Sequence, residues 1–332
     1  MQVIEAFAPT ENVANLQLNT DGDLRHLLTL QGLDKSMLID LLDDAQRFVT
    51  EPGEPTSRSK SLDGRTVANL FFEPSTRTRA SFDLAGKRLG ADVLNLDVNQ
   101  SSRKKGESIL DTVYTLQAMY VDVMVVRDAS AGVPSYIARH VNDHVSILNA
   151  GEAEASHPTQ GLLDLLTIRQ RKGRFEDLTV AIVGDIMHSR VARSAAHGLT
   201  TLGVGELRLI SPPALAPDPD DMPNARLLDN LDEGLRDADV VMALRIQRER
   251  IGSLDGIPGI DEYYANYGIS AERMKSAAPD AIVMHPGPMN RGIEIESALA
   301  DSPASAITRQ VANGVAVRMA VLERVCKSMD RR

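Results

Sequence analysis

One cysteine, Cys326, is all the chain has, which excludes an internal disulfide framework and any thiolate metal site. A lone thiol also fits a reducing compartment. Long hydrophobic runs are missing as well. No stretch of about 18 apolar residues occurs, and Met1-Gln-Val-Ile-Glu-Ala6 has no basic region followed by an apolar core. The expectation is a cytoplasmic protein with no membrane partner. Positive charge is in deficit: the net charge is −10, which argues against a general nucleic-acid binder but not against a locally basic anion site. The seven histidines contain no His-Glu-x-x-His, and His140 and His144 are separated by Asn142-Asp143 in a loop-like context. Gly-x-Ser-x-Gly and Gly-x-x-x-x-Gly-Lys-Ser/Thr are absent, which counts against a hydrolase elbow and an NTPase loop. Neither a metal nor a cofactor is expected.

What is present suits a sizeable α/β protein. The 332 residues suggest about two domains, and 43% hydrophobic residues are ample for two cores. Thr66-Val-Ala-Asn-Leu-Phe-Phe72 reads as a buried strand stopped by Pro74. Ser75 then occupies a helix N-cap position, and Phe82, Ala85 and Leu89 recur at helical spacing until Gly90. Ser75, Thr76, Arg77 and Thr78 therefore fall on a first helical turn after a strand. Such a turn offers unpaired backbone N–H groups, hydroxyls, a guanidinium and the positive end of a helix dipole, which together suit a phosphate. An ordinary capped helix is the competing interpretation, although arginines in a first turn oppose the dipole.

Around this centre, strands and helices alternate, as in parallel sheets with helices on both faces. A helix capped by Ser36 is expected from Asp34 to Val49, with Leu38, Leu41, Leu42, Ala45 and Phe48 on one face. Strands are expected at Asp92–Asp97, Val121–Val126 ending in Arg127, Val145–Leu148, Leu178–Val183, Glu206–Ile210, Asp239–Leu244 and Ala281–Met284. Helices are expected over Ile109–Tyr120, Pro134–His140, after His157-Pro158, and over Ser189–Leu202. A last helix, about Ser305–Val325, has a stripe of Val311, Val315, Met319 and Leu322. Residues 1–25 are polar and aperiodic, either a disordered tail or an interaction arm.

Ligands of open parallel sheets bind at the carboxyl ends of strands. The polar residues there are Ser75 to Thr78, Arg127, His157 with Gln160, Arg190 after Gly184-Asp185, Arg245 with Gln247, and His285 to Arg291. Recurrent arginines at such positions point to a substrate with several anionic groups. His157, before Pro158, is either a capping or core histidine or a neutral donor to a carbonyl oxygen, since a helix N-terminus disfavours its charged form. Val180-Ala-Ile-Val-Gly-Asp185 looks like the start of a dinucleotide fold, but Gly-x-Gly-x-x-Gly is missing.

Pro74-Ser-Thr-Arg-Thr-Arg79 resembles the carbamoyl-phosphate signature of the aspartate/ornithine carbamoyltransferase family. Lys104-Lys-Gly-Glu107, Arg127, His157-Pro-Thr-Gln160, Val183-Gly-Asp185 with Arg190, Arg245-Ile-Gln247 and His285-Pro-Gly-Pro288 follow in the family's order, from about Leu27 to Val325. Lys104–Glu107 and His285-Pro-Gly-Pro-Met-Asn-Arg-Gly292 resemble the aspartate branch; ornithine enzymes typically carry His-Cys-Leu-Pro.

The resemblance implies transfer of a carbamoyl group from carbamoyl phosphate to L-aspartate in pyrimidine synthesis. It implies that Ser75, Thr76, Arg77 and Thr78 hold the phosphate. Thr78, Arg127 and His157 would surround the carbonyl oxygen, and Gln160 and the backbone at Gly287 and Pro288 would contact the carbamoyl group. Lys105, Arg190, Arg245 and Gln247 would hold aspartate. Ser101 and Lys105 match a loop that a neighbouring subunit contributes, so a homotrimer with shared sites is implied, and some bacterial relatives with N-terminal extensions add a dihydroorotase-like or regulatory partner. The implied domains are a carbamoyl-phosphate domain, 26–155 with a returning C-terminal helix 305–330, and an aspartate domain, 156–304. Competing functions are transfer to ornithine or another amine, a silent scaffold, and a nicotinamide dehydrogenase.

Overall fold

The computed structural model describes residues 13–96, 108–222, 224–247 and 256–330. The chain divides into two compact units, residues 1–159 with 314–332, and residues 160–313. Each is built on a parallel sheet flanked by helices, the doubly wound architecture expected from the sequence.

The first unit's sheet contains β1 (Thr66–Phe71), β2 (Asp92–Leu96), β3 (Val123–Asp128) and β4 (Ser146–Glu152), in the order β2-β1-β3-β4. Val67, Ala68 and Leu70 of β1 and Val123 to Val126 of β3 are fully buried, as strands covered on both faces must be. Between the strands run α3 (Thr76–Arg88), α4 (Ile109–Ala118) and α5 (Val133–His140). Val113 and Leu116 of α4 and Val133 and Ile137 of α5 join Ala68, Met124 and Val126 in one apolar cluster. α3 approaches the sheet at Gly86, where a β-carbon would stand 2.7 Å from the Val93 side chain.

Before the sheet come α1 (Ala14–Gln17) and α2 (Lys35–Gln46). Residues 13–25, part of the expected extension, are built into this unit. Gln17 Oε1 accepts from the backbone N–H groups of Leu28 and Thr29 at 2.7 and 2.9 Å. Leu27 then bridges to Leu148, and His26 Nδ1 accepts from Ile147 N–H, so the exposed edge of β4 is covered. The cap of α2 differs from expectation. Asp34 accepts from Met37 N–H at 2.7 Å, and Ser36 merely donates to Asp34, because a carboxylate is the stronger acceptor. The Met37 bond, with Ser36, holds the Asp34 carboxyl below its ordinary range.

The second unit's strands are β5 (Thr179–Val183), β6 (Glu206–Ile210), β7 (Arg226–Leu228), β8 (Val240–Ala243) and β9 (Ile282–Met284), in the order β7-β6-β5-β8-β9. Its helices are α6 (Pro158–Lys172), which begins in the first unit, then α7 (Arg190–Leu202), α8 (Leu231–Leu235), α9 (Ile260–Tyr267) and α10 (Ser297–Ala300). β7, α8 and α9 were not foreseen from the sequence. α8 is short and contains Gly234, a turn signal by itself. Gly234 is needed because a β-carbon there would meet Ile210 at 2.4 Å.

The last helix, α11 (Ile307–Asp330), starts in the second unit and ends in the first. In the first, Arg324 pairs with Asp40 and Asp44, Glu323 pairs with Arg47, and the Arg318 guanidinium lies 5.0 Å from the Phe82 ring centroid. Cys326 is buried there, and desolvation pushes its thiol up to about 12. The expected stripe is wrong at its start: Val311 is 60% exposed, while Gln310 and Asn313 are buried. Those two polar residues face inward because α6 supplies partners: Asp164 for Gln310, Thr167 and Gln170 for Asn313. Among the described residues no helix is long and apolar enough to cross a membrane.

Candidate active site

In the first unit, three strands deliver the expected residues to one edge of the sheet. β1 ends at Phe71, and α3 begins five residues later with Ser75 as N-cap. The Ser75 hydroxyl makes no capping bond, and the first turn of α3 contains no acidic residue. The usual devices that neutralise a helix N-terminus are therefore missing, and a basic side chain, Arg77, stands there instead. Thr76 and Arg77 are exposed, and Thr78 is buried. This arrangement can receive a phosphate through backbone N–H groups and side chains together.

Arg127, at the end of β3, lies beside Phe71 in the parallel register. It is buried, and Nη1 donates to the Ala150 carbonyl at 3.0 Å while Nη2 lies 3.3 Å from Glu73 Oε1. The Ala150 carbonyl is presented by an irregularity in the β3–β4 ladder: Val126 pairs with Asn149 but Asp128 with Glu152, so β4 holds one extra residue. Gly151, at φ 117°, absorbs the distortion, and its N–H donates to Asn149 Oδ1. Glu152 steadies the same segment, accepting from Gly132 N–H and Asn149 Nδ2 at 2.7 and 2.9 Å.

His157 follows the turn that closes β4, where Glu152 N–H donates to the Ser156 carbonyl. It is 4% exposed and immediately precedes Pro158, the first residue of α6. Gln160, one turn into α6, donates from Nε2 to Asp164 Oδ1 at 3.0 Å.

In the second unit the corresponding residues come from the ends of β5, β8 and β9. β5 and β8 approach closely at Gly184 (φ 136°), whose hypothetical β-carbon would lie 2.4 Å from the Leu244 carbonyl oxygen. Only glycine fits there. Asp185 is fully buried and organises the surrounding loops. One oxygen accepts from His188 N–H and faces His188 Nδ1 at 2.9 Å; the other accepts from Gln247 N–H at 3.0 Å. Gln247 Nε2 returns to the His188 carbonyl at 2.8 Å. Arg190 begins α7 two residues beyond His188, under a cap in which Ser189 accepts from Ala192 N–H, and Arg245 lies two residues before Gln247. The loops bearing Arg190, Arg245 and Gln247 are thus fastened through one carboxylate.

After β9, His285 is buried and its ring spans the loop: Nδ1 accepts from Gly287 N–H at 2.8 Å, and Nε2 lies 3.1 Å from Glu294 Oε1. Gly287 (φ 65°) and Pro288 follow. Ser101 and Lys105 lie outside the described residues. Among the described residues no three His, Cys, Asp or Glu side chains gather as a metal site would require.

Nothing in the sequence assigns a role to Glu73, Asp164, Asp185, Glu294 or Gln310. Asp185 stands beside the glycine of Val183-Gly-Asp185, whereas Gln310 is a single polar residue whose partner Asp164 lies 146 residues away.

Two family models match. Residues 25–170 match "Aspartate/ornithine carbamoyltransferase, carbamoyl-P binding domain", and residues 176–325 match "Aspartate/ornithine carbamoyltransferase, Asp/Orn binding domain". Among solved structures, the chain is 31% identical to aspartate transcarbamoylase from Trypanosoma cruzi in complex with carbamoyl phosphate, with a TM-score of 0.81 over 94% of this chain and 97% of that one. The complex of the T. cruzi protein with N-(phosphonacetyl)-L-aspartic acid matches at 31% identity and a TM-score of 0.80, over 95% and 99%. Ornithine carbamoyltransferase from Pyrococcus furiosus matches at 28% identity and a TM-score of 0.81, over 91% and 97%.

Proposed function

The chain belongs to the aspartate/ornithine carbamoyltransferase family, and from that premise we propose that it transfers the carbamoyl group of carbamoyl phosphate to the amine of L-aspartate, releasing N-carbamoyl-L-aspartate and phosphate. The first unit binds carbamoyl phosphate and the second binds aspartate. Ser75, Thr76, Arg77 and Thr78 hold the phosphate at the start of α3. Thr78, Arg127 and His157 donate to the carbonyl oxygen, where negative charge grows as the amine attacks. Gln160 takes the carbamoyl amino group, and the backbone at Gly287 and Pro288 also contacts it. The amine attacks as the neutral base, the C–N bond forms, the C–O bond to phosphate breaks, and the amine's proton passes to the departing phosphate. Arg77 and the helix dipole stabilise the departing charge, so positioning and electrostatics supply most of the rate.

The observation that carries the acceptor choice is the Asp185 cluster. It fastens together the loops that present Arg190, Arg245 and Gln247, a pair of guanidiniums and an amide suited to a dicarboxylate. A second amine, as in ornithine, gains nothing from two guanidiniums. The same reading includes a cytoplasmic role in pyrimidine synthesis and a homotrimer in which Ser101 and Lys105 serve a neighbouring copy's site. The test is carbamoyl transfer by the purified chain, with L-aspartate and L-ornithine in parallel. Product from aspartate alone supports the proposal, and product from ornithine alone overturns the acceptor.

A further inference from the structure

Two segments assigned above to the carbamoyl group, Gln160 and Gly287–Pro288, are joined inside the second unit by an unbroken line of hydrogen bonds. Gln160 Nε2 and Gln310 Nε2 both donate to Asp164 Oδ1, at 3.0 and 2.8 Å. The other end of the Gln310 amide, Oε1, accepts from the His285 backbone N–H at 2.9 Å. His285 Nδ1 accepts from Gly287 N–H, and Nε2 lies 3.1 Å from Glu294 Oε1, which also accepts from Asn290 N–H. The side chains are buried: Gln160 is 9% exposed, and Asp164, Gln310, His285 and Glu294 are 2% or less.

The chemistry of these partners fixes every orientation along the line. A carboxylate only accepts, so Asp164 requires the NH2 ends of both glutamines. Gln160 must then turn Oε1 away from Asp164, and Oε1 is the atom an incoming carbamoyl NH2 requires. A backbone N–H only donates, so His285 Nδ1 is unprotonated and its proton sits on Nε2, directed at Glu294. Reversing any member would place donor against donor or acceptor against acceptor in a buried setting.

We propose that Asp164 and Gln310 are positioning residues for the carbamoyl amide. Asp164 selects the amide orientation in which Gln160 accepts, and Gln310 couples it through His285 to the Gly287 backbone, fixing the spacing of the two carbamoyl contacts. This proposal rests on the roles given above to Gln160 and Gly287–Pro288. The line favours a planar amide over a bare phosphate, because the phosphate contacts Ser75 to Thr78 belong to the first unit and do not depend on it.

The test is calorimetric titration of the full chain with inorganic phosphate and with phosphonoacetamide, a hydrolysis-resistant mimic of carbamoyl phosphate. The wild type is expected to prefer phosphonoacetamide. Gln310→Met keeps the side-chain volume and removes both bonds. It is expected to weaken phosphonoacetamide binding about tenfold, the loss of roughly one buried hydrogen bond, with phosphate affinity within about twofold. Asn313→Ala is the control. It breaks bonds to α6 one turn further along the same helix but leaves the line intact, so both affinities should stay within about twofold. If Gln310→Met does not fold, Gln310→Asn, too short to span Asp164 and His285, is judged by the same ratio. An unchanged ratio in the Gln310 variant, or an equal change in Asn313→Ala, overturns the proposal. A wild type that binds phosphate without preferring the amide overturns it while leaving the phosphate site standing. A wild type that binds neither ligand removes the functional reading and this proposal together.

Discussion

In the first unit the phosphate contacts assigned here come from one contiguous turn, Ser75 to Thr78, with Thr76 and Arg77 exposed. In the second, Arg190, Arg245 and Gln247 come from the ends of two strands and depend on Asp185, which is fully buried. The difference concerns how binding is coupled to folding. A contiguous turn needs only a helix N-terminus, and its exposed side chains contribute little to stability. A site gathered from distant segments needs an interior hydrogen-bonding group to hold the segments in register, so damage there reaches folding and binding together.

Arg77→Ala puts this contrast to its strongest test. Turnover should fall about 10³-fold, near 4 kcal/mol of transition-state stabilisation, while the melting temperature moves by less than about 2 °C. Steady-state kinetics beside thermal melts would show it, and a fully active variant would remove the role given to Arg77. Asp185→Ala should behave oppositely. Stability should fall by about 3 kcal/mol as donors from His188 and Gln247 lose their acceptor, and the KM for aspartate should rise in parallel. A loss of aspartate affinity at wild-type stability would break the coupling just described. Gly184→Ala should cost about 2 kcal/mol, because its β-carbon meets the Leu244 carbonyl oxygen at 2.4 Å. Gly53→Ala, at φ 89° with nothing within 4 Å, should cost about 1 kcal/mol, and denaturant melts of the pair separate crowding from backbone strain.

The smallest effect depends on pH. Burial alone would raise the Glu323 carboxyl, but hydrogen bonds from Lys327 and Arg47 outweigh it and leave the group below its ordinary value of 4.5. Its contribution is therefore complete above about pH 4.5 and is lost as the pH falls through the lower folded value. Glu323→Gln should cost less than about 1 kcal/mol at pH 7, and the difference from wild type should shrink as the pH is lowered through the acid range in a series of melts.

The same contrast explains what the sequence made legible. The interior strands could be read because burial on both faces gives unbroken apolar runs, as in Val123 to Val126, whereas β7, a three-residue edge strand, has no such run. The first-unit turn could be read because its chemistry is consecutive. The second unit's polar interior could not. Val311 reads as a core residue because it is apolar, yet Gln310 and Asn313 take the inward positions because Asp164, Thr167 and Gln170 meet them there. No local pattern announces a partner about 146 residues away. α8 is hidden for a similar reason: Gly234 by itself signals a turn, and only the Ile210 side chain packed against it calls for a glycine inside a helix. Ser36 reads as the cap of α2 from its residue type, but Asp34, the stronger acceptor, stands two residues earlier and takes that place.

The burial of Cys326 has a practical consequence for spectroscopy. Its thiol is shielded and almost wholly protonated at neutral pH, so maleimides and similar reagents should pass it by. The natural chain then serves as its own unreactive background. A single cysteine introduced on the surface of each unit would carry a fluorophore or spin label without any prior substitution, and the separation of the two units could be followed as substrates are added.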